Sequence, residues 1–274
     1  MTGDAERLAD LLLEAGPAGT VVFTGAGVST ESGIPDFRGP NGLWTKFAPI
    51  QYRDFMTDPA ARRESWQRGL HTYPALEHAQ PNAAHVAIAE WWRAGLVSGV
   101  VTQNIDGLHQ RAGLPSSGVI ELHGNAHGVA CLSCEAWFER PAVHARVLAG
   151  EHEPACPDCG GILKTTTVSF GQMLPEGAVA EAQRLHAAAR LCLIVGSSLV
   201  VYPAASLPEL TLQSGGALAI VNTSETHLDP FASLVCRQPA AVLLGQVRAG
   251  AGSEEWGAGA DSAPWPQSSP HGPP

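Results

Sequence analysis

The sequence predicts an α/β fold, a Rossmann-like doubly wound parallel sheet with a smaller module inserted. Three observations predict it. Short aliphatic runs alternate with helical stretches along most of the 274 residues. The runs are near-continuous, as strands covered on both faces require. Several of them end in polar residues, and in such sheets ligands bind beyond the carboxyl ends of the strands.

In chain order, residues 1–16 read as an amphipathic helix with Leu8, Leu11 and Leu12 on one face and acids early. "TVVFT" (20–24) reads as the first strand and leads into a glycine-rich loop. Residues 81–95 read as a helix with Asn82 as N-cap and Gly95 as its stop. Residues 99–104, 191–198, 217–222 and 241–245 repeat the strand pattern, and 175–190 is a further helix beginning with Pro and Glu. Thr24, Gln103 with Asn104, Ser197 with Ser198, and Asn222 close four of these runs, which points to a crevice lined with hydrogen-bonding groups. Residues from about 125 to 166, with four cysteines and little alternation, read as an insertion. Residues about 39–80 form a second, helical one. The Gly-, Pro- and Ser-rich residues 249–274 are expected to be disordered, leaving 1–248 as the folded domain.

Composition excludes several classes. The net charge is −10 with no long basic run, which argues against direct nucleic-acid binding. No apolar run approaches the length of a membrane span. The N-terminus lacks the basic start and cleavage site of a secretory signal. A cytoplasmic protein without a membrane partner is expected.

Six cysteines occur. "CLSC" (Cys131, Cys134) and "CPDCGG" (Cys156, Cys159) are C-x2-C pairs whose spacing is a strong zinc signature. Gly160 and Gly161 fit a knuckle whose backbone N–H groups turn toward thiolates. The alternative, two disulfides, is disfavoured in an intracellular setting. Four thiolates fill a tetrahedral Zn2+ and leave no open position, so the metal is expected to be structural. Cys192 and Cys236 sit in apolar runs and read as core thiols.

The loop "GAGVSTESGIPDFRG" (25–39) opens like a dinucleotide fingerprint, with Gly25 and Gly27 in place but Thr30 at the third glycine position. No second strand with an acidic end follows about 20 residues on, so the hydride-transfer reading weakens. What survives is backbone N–H groups facing an anion at a helix start. "TQNIDGLH" (102–109) adds amides and a carboxylate at a strand end, and "ELHGN" (121–125) sets a histidine before a glycine.

Together with "GIPDFRG", these motifs make a chain that resembles the sirtuin family from about Ala5 to Gly245. The resemblance implies an NAD-dependent protein lysine deacylase that consumes NAD+ and releases nicotinamide and O-acyl-ADP-ribose. It implies acyl-lysine proteins or peptides as partners. By resemblance, Gly25, Ala26, Gly27 and Thr30 hold the diphosphate with Gly196, Ser197 and Ser198, while Asn222, Thr223 and Ala240 lie at the adenosine. Asp36, Phe37, Arg38 and Trp44 complete the loop, with Phe37 covering the reacting carbon against water. Gln103, Asn104, Ile105 and Asp106 dock the nicotinamide amide. His123 is the base for a ribose hydroxyl, an imidazole titrating near neutrality. Asn104, Asp106 and His123 are the candidate catalytic set. Val168, Phe170, Gly171 and Val201 are candidate substrate contacts, in two segments that resemble a clamp for an extended peptide. Desuccinylating members carry Tyr-x-x-Arg where this chain has Trp66 and Gly69, so the sequence does not support an acidic-acyl preference. The wording of residues 54–70 is closer to the mitochondrial-type lineage. Protein ADP-ribosyl transfer or NAD glycohydrolysis on the same scaffold, and a non-catalytic NAD-sensing protein, stay open as alternatives.

Overall fold

A computed structural model describes residues 3–36 and 48–247. In chain order its elements begin α1 (Gly3–Ala15), β1 (Thr20–Thr24), α2 (Tyr52–Thr57), α3 (Pro59–His78), α4 (Ala83–Arg93), β2 (Val97–Thr102), α5 (Leu108–Arg111) and β3 (Val119–Glu121). The chain continues with β4 (Gly128–Cys131), β5 (Trp137–Glu139), α6 (Arg140–Leu148), β6 (Leu163–Thr165), α7 (Glu176–Ala188) and β7 (Leu191–Val195). It closes with α8 (Leu207–Gln213), β8 (Ala217–Val221), β9 (Leu234–Cys236) and α9 (Ala240–Leu244).

The apolar runs pair as one parallel sheet of order β3-β2-β1-β7-β8-β9. This is the doubly wound order, with its direction reversing between β1 and β7. Alternate strand residues feed two separate cores. Val22, Leu193, Val195, Ala219 and Val221 pack with α1, α4 and α9. Val21, Phe23, Cys192, Ile194, Leu218 and Ile220 pack with α7 and α8. That is why these strands read as unbroken apolar runs. Each fully buried aliphatic side chain contributes about 1.5–3 kcal/mol. Cys192 and Cys236 are core residues.

Helix ends follow local chemistry. Asn82 caps α4 by accepting from Ala84 N at 2.9 Å, and His85 bonds back to the Asn82 N–H. Past the end of α4, Gly95 takes a φ of +74°. In α1, Leu8, Leu11 and Leu12 are buried while Leu13 faces out.

Three strand expectations shift and one fails. β2 begins two residues before the expected run and ends at Thr102, so Gln103 and Asn104 lie in the loop beyond it. β7 and β8 stop at Val195 and Val221, placing Gly196, Ser197, Ser198 and Asn222 in loops. The run 241–245 is not a strand but most of α9. Ala240, Leu243, Leu244 and Val247 are buried and Val242 is half exposed, a helical spacing that a five-residue apolar window cannot distinguish from a strand. The short strands β3 and β9 take the sheet edges.

The two insertions meet. β4, β5 and β6 form an antiparallel sheet of order β5-β4-β6. Trp66 of α3 shares a third core with Val129, Cys131, Val143, Val147, Cys156 and Leu163 of the cysteine-bearing segment. Among the described residues no helix is long and apolar enough to cross a membrane. The tail 249–274 falls outside the described residues.

Candidate active site

The crevice lies where the sheet order reverses, at the carboxyl ends of β1 and β7. The loops leaving these strands touch backbone to backbone. Gly25 N donates to Val195 O at 3.0 Å and Gly27 N to Gly196 O at 2.8 Å. A Cβ on Gly27 would stand 2.7 Å from Gly196 Cα, and one on Gly196, whose φ is +62°, would stand 2.2 Å from Val28 N. Only glycine at both positions permits this approach. Around it, the Asn82 amide donates to Val28 O at 2.8 Å, and Gln103 Nε2 reaches across to Ser197 Oγ at 2.8 Å. Glu31 accepts from Ala241 N at 2.8 Å and so holds the start of α9 against the first loop.

A cavity of about 1250 Å³ opens from this cradle toward the inserted module. Of the residues named from the sequence, Gly25, Ala26, Gly27, Thr30, Asp36, Gln103, Asn104, Ile105 and His123 line it. So do Val168, Phe170, Gly171, Gly196, Ser197, Ser198, Val201, Asn222, Thr223 and Ala240. Phe37, Arg38 and Trp44 lie outside the described residues. Asp106 does not line the cavity. It is 3% exposed, and its carboxylate accepts from Ser29 Oγ at 2.7 Å and from Leu108 N at 3.0 Å. Asp106 stands behind the wall that Asn104 and Ile105 face.

That wall is backed by a buried polar cluster which the sequence did not single out. Ser29, 1% exposed, donates to Asp106 and accepts from Asn104 Nδ2 at 3.1 Å. Thr24 bonds Thr102 Oγ1 at 2.8 Å and His109 Nε2 at 3.0 Å. The rings of His85 and His109 are 5.0 Å apart. Burial pushes His85 down to about 4 despite the nearby Asp106 charge, and pushes His109 well below the usual histidine value, with His85 adding to the effect. Both rings are therefore neutral at pH 7. Ser29 sat unnoticed inside the glycine-rich loop. Only the fold shows that it faces residues 77 positions away.

His123 is fixed by its main chain and its ring together. Its Nδ1 lies 2.9 Å from Gln103 O. A carbonyl only accepts, so Nδ1 carries the proton. Burial lowers the pKa, with the Gln103 bond opposing, so the ring is neutral and Nε2 keeps its lone pair. His123 O accepts from Val168 N at 2.8 Å, joining the histidine to the 168–171 segment that lines the same cavity. Gly124 explains the His-Gly pair. Its φ is +65°, and a Cβ there would lie 1.9 Å from Thr166 O. At the mouth of the cavity Phe170, Met173, Val200 and Tyr202 are exposed, an apolar rim.

The four cysteines converge in the module. Their sulfurs lie within 4.8 Å of one another, with Cys131–Cys159 at 3.5 Å and Cys134–Cys156 at 3.7 Å. A tetrahedral Zn2+ with bonds of about 2.3 Å needs sulfur separations of roughly 3.8 Å, so the set fits zinc. Ser133 N and Gly161 N each point at a cysteine sulfur at 3.4 Å, supporting thiolate charge. Four thiolates would fill a tetrahedral ion and leave no open position, as a structural centre requires.

Fold and site define a class: a Rossmann-type cleft with a glycine cradle and a neutral histidine in its wall, joined to a module whose four cysteines fit a zinc centre. The Sir2 family profile matches residues 25–203. NAD-dependent protein deacetylase 2 of Streptomyces coelicolor is 44% identical over 235 residues, covering 84% of this chain and 97% of that protein. The NAD-dependent protein deacetylase of Thermotoga maritima is 46% identical over 217 residues, covering 78% and 86%. A solved Sir2 structure described with a p53 peptide and NAD+ matches with a TM-score of 0.80 at 40% identity, covering 88% of this chain and 96% of that one. Another, described with deacetylated p53 peptide and 3'-O-acetyl ADP ribose, matches with a TM-score of 0.83 at 41% identity, covering 89% and 97%. The chain belongs to the Sir2 family.

Proposed function

We propose that this chain is an NAD-dependent protein lysine deacylase that releases nicotinamide and O-acyl-ADP-ribose. One observation carries the reading: a neutral histidine with a bare Nε2 lines a cavity continuous from the glycine cradle to the apolar rim. NAD+, when bound, supplies the nicotinamide–ribose bond whose cleavage creates the acceptor for the acyl group.

The residues divide the work as follows. Backbone amides of the 25–27 and 196–198 loops hold the diphosphate, and Asn222, Thr223 and Ala240 line the adenosine end. Asn104 and Ile105 form the nicotinamide wall, and Asp106 and Ser29 position it from behind. His123 Nε2 takes the proton of a ribose hydroxyl, while Gln103 O keeps Nδ1 protonated so that no other tautomer competes. The segments around Val168–Gly171 and Val201 take the acyl-lysine peptide against the apolar rim. Phe37, Arg38 and Trp44 belong to the same reading by resemblance. Residues 1–248 act as one catalytic unit with its two insertions. Four cysteines are kept as thiols in a reducing compartment, which supports a cytoplasmic location.

The test is incubation with NAD+ and an acetylated peptide, with products resolved by mass spectrometry. Equal yields of nicotinamide and O-acetyl-ADP-ribose are expected. ADP-ribose on protein or free in solution, with the peptide still acetylated, would replace this reading with ADP-ribosyl transfer or NAD hydrolysis.

A further inference from the structure

We infer that Arg140 recognises a carboxylate at the far end of the acyl chain on the substrate lysine, so that this chain prefers acidic acyl groups. The inference rests on the deacylase reading above.

Arg140 opens α6 and is 3% exposed, yet its Nε and Nη1 are buried with no hydrogen-bond partner. No carboxylate among the described residues pairs with it. Its neighbours are aromatic faces. The guanidinium carbon stands 4.8 Å over the Trp66 ring and 5.1 Å over that of Tyr73. The Tyr73 hydroxyl is already committed to Glu77 at 3.2 Å. Burial without a counter-charge lowers the guanidinium pKa to about 10. A buried, unpaired cation is costly, and cation–π contacts offset only part of that cost.

The position is built rather than accidental. Trp66, Gly69 and Tyr73 follow one another on one face of α3. A Cβ on Gly69 would lie 2.5 Å from Arg140 Nη2, so the glycine makes room for the guanidinium. Position 69 of this helix, where desuccinylating members carry arginine, is glycine here. The fold brings one to the same place from 71 residues further along the chain. The backbone is pinned as well. Arg140 N donates to His127 O at 2.9 Å, and the His127 ring bonds Asp106 O at 3.0 Å, which ties Arg140 to the nicotinamide wall.

Arg140, Trp66, Gly69 and Tyr73 line the same cavity as His123 and Val168. A planar guanidinium with two nitrogens on offer matches a carboxylate. A carboxylate on a peptide side chain would stay at the exposed rim of Met173, Val200 and Tyr202. The group that the reaction itself carries inward is the acyl chain.

The test uses the full chain, NAD+ and one peptide sequence bearing acetyl, butyryl, succinyl, glutaryl or glutaryl methyl ester on lysine. The kcat/KM for the better acidic acyl group should exceed that for its neutral isostere by about tenfold to a hundredfold. Arg140→Met should collapse this ratio, and Arg140→Lys should restore only part of it. A wild-type enzyme that turns over neutral chains as well as acidic ones overturns the inference, even if Arg140→Met does not fold, and leaves the deacylase reading standing. So does a ratio that survives in a folded Arg140→Met protein. An acetyl-lysine peptide with a neighbouring glutamate serves as a further arm, and stimulation there but not by acidic acyl groups would place the carboxylate on the peptide and also overturn it. No nicotinamide release with any peptide removes both readings.

Discussion

Gly27→Ala puts the nucleotide cradle under direct test. The added methyl would sit 2.7 Å from Gly196 Cα and 2.8 Å from Gly196 O, against an ordinary contact of 3.4–4 Å. Both are backbone atoms, so neither can swing away like a side chain. The two loops must part by roughly 0.7 Å, and the Gly27 N–Gly196 O bond of 2.8 Å is stretched with them. Overpacking of this kind costs about 1–3 kcal/mol. Because the displaced loops are themselves the proposed diphosphate site, most of that cost should fall on NAD+ binding, an affinity loss of about fivefold to 150-fold. Gly177→Ala is the control. It lies in α7 with nothing within 4 Å of a new Cβ, and should be neutral or slightly stabilising. The assay is calorimetric titration of NAD+ with a thermal melt beside it. Wild-type affinity in a folded Gly27→Ala protein would refute the cradle.

Three further perturbations probe the rest. Ser29→Ala removes the hydrogen bond to the buried Asp106 carboxylate and the one from Asn104. Loss of about 2–4 kcal/mol, divided between melting temperature and nicotinamide release, is expected, and a variant matching wild type in both would contradict the positioning role. Stripping zinc with a strong chelator should unfold the three-stranded module, seen as lost hydrogen-exchange protection in residues 128–165, with activity falling as Trp66 loses its packing partners. Protection unchanged in metal-free protein would rule out a structural centre. His85 and His186 are buried with pKa values pushed by burial to about 4 and about 3, below the ordinary 6.5. Between those values the unfolded chain binds more protons, so stability is full above about pH 6.5 and is lost as the pH falls toward 4. Each should contribute about 3 kcal/mol to that loss by pH 4. A melting temperature flat across the window would contradict it.

Legibility tracked where the physical signal resides. β1, β7 and β8 were readable because burial on both faces leaves no polar position to interrupt the run. The four-cysteine centre was readable because two knuckles impose a local spacing that survives any intervening fold. α9 was misread as a strand, since Ala-Val-Leu-Leu-Gly is apolar at every position and only its packing on α4 selects a helix. Asp106 was expected in the site segment from its place after Gln103 and Asn104, but its inward turn to Ser29 depends on two loops meeting. Arg140 carried no sequence signal. Its lack of a paired acid among the described residues is a property of the folded neighbourhood, where Trp66, Gly69 and Tyr73 surround it.

The most direct test of the chemistry is the yield of O-acyl-ADP-ribose from NAD+ and an acyl-lysine peptide, measured for the wild-type chain and for His123→Ala. Removing a positioned general base should lower that yield per unit time by about 10²- to 10⁴-fold while the protein stays folded. Unchanged formation of the product by His123→Ala would show that the imidazole held by Gln103 is not the base.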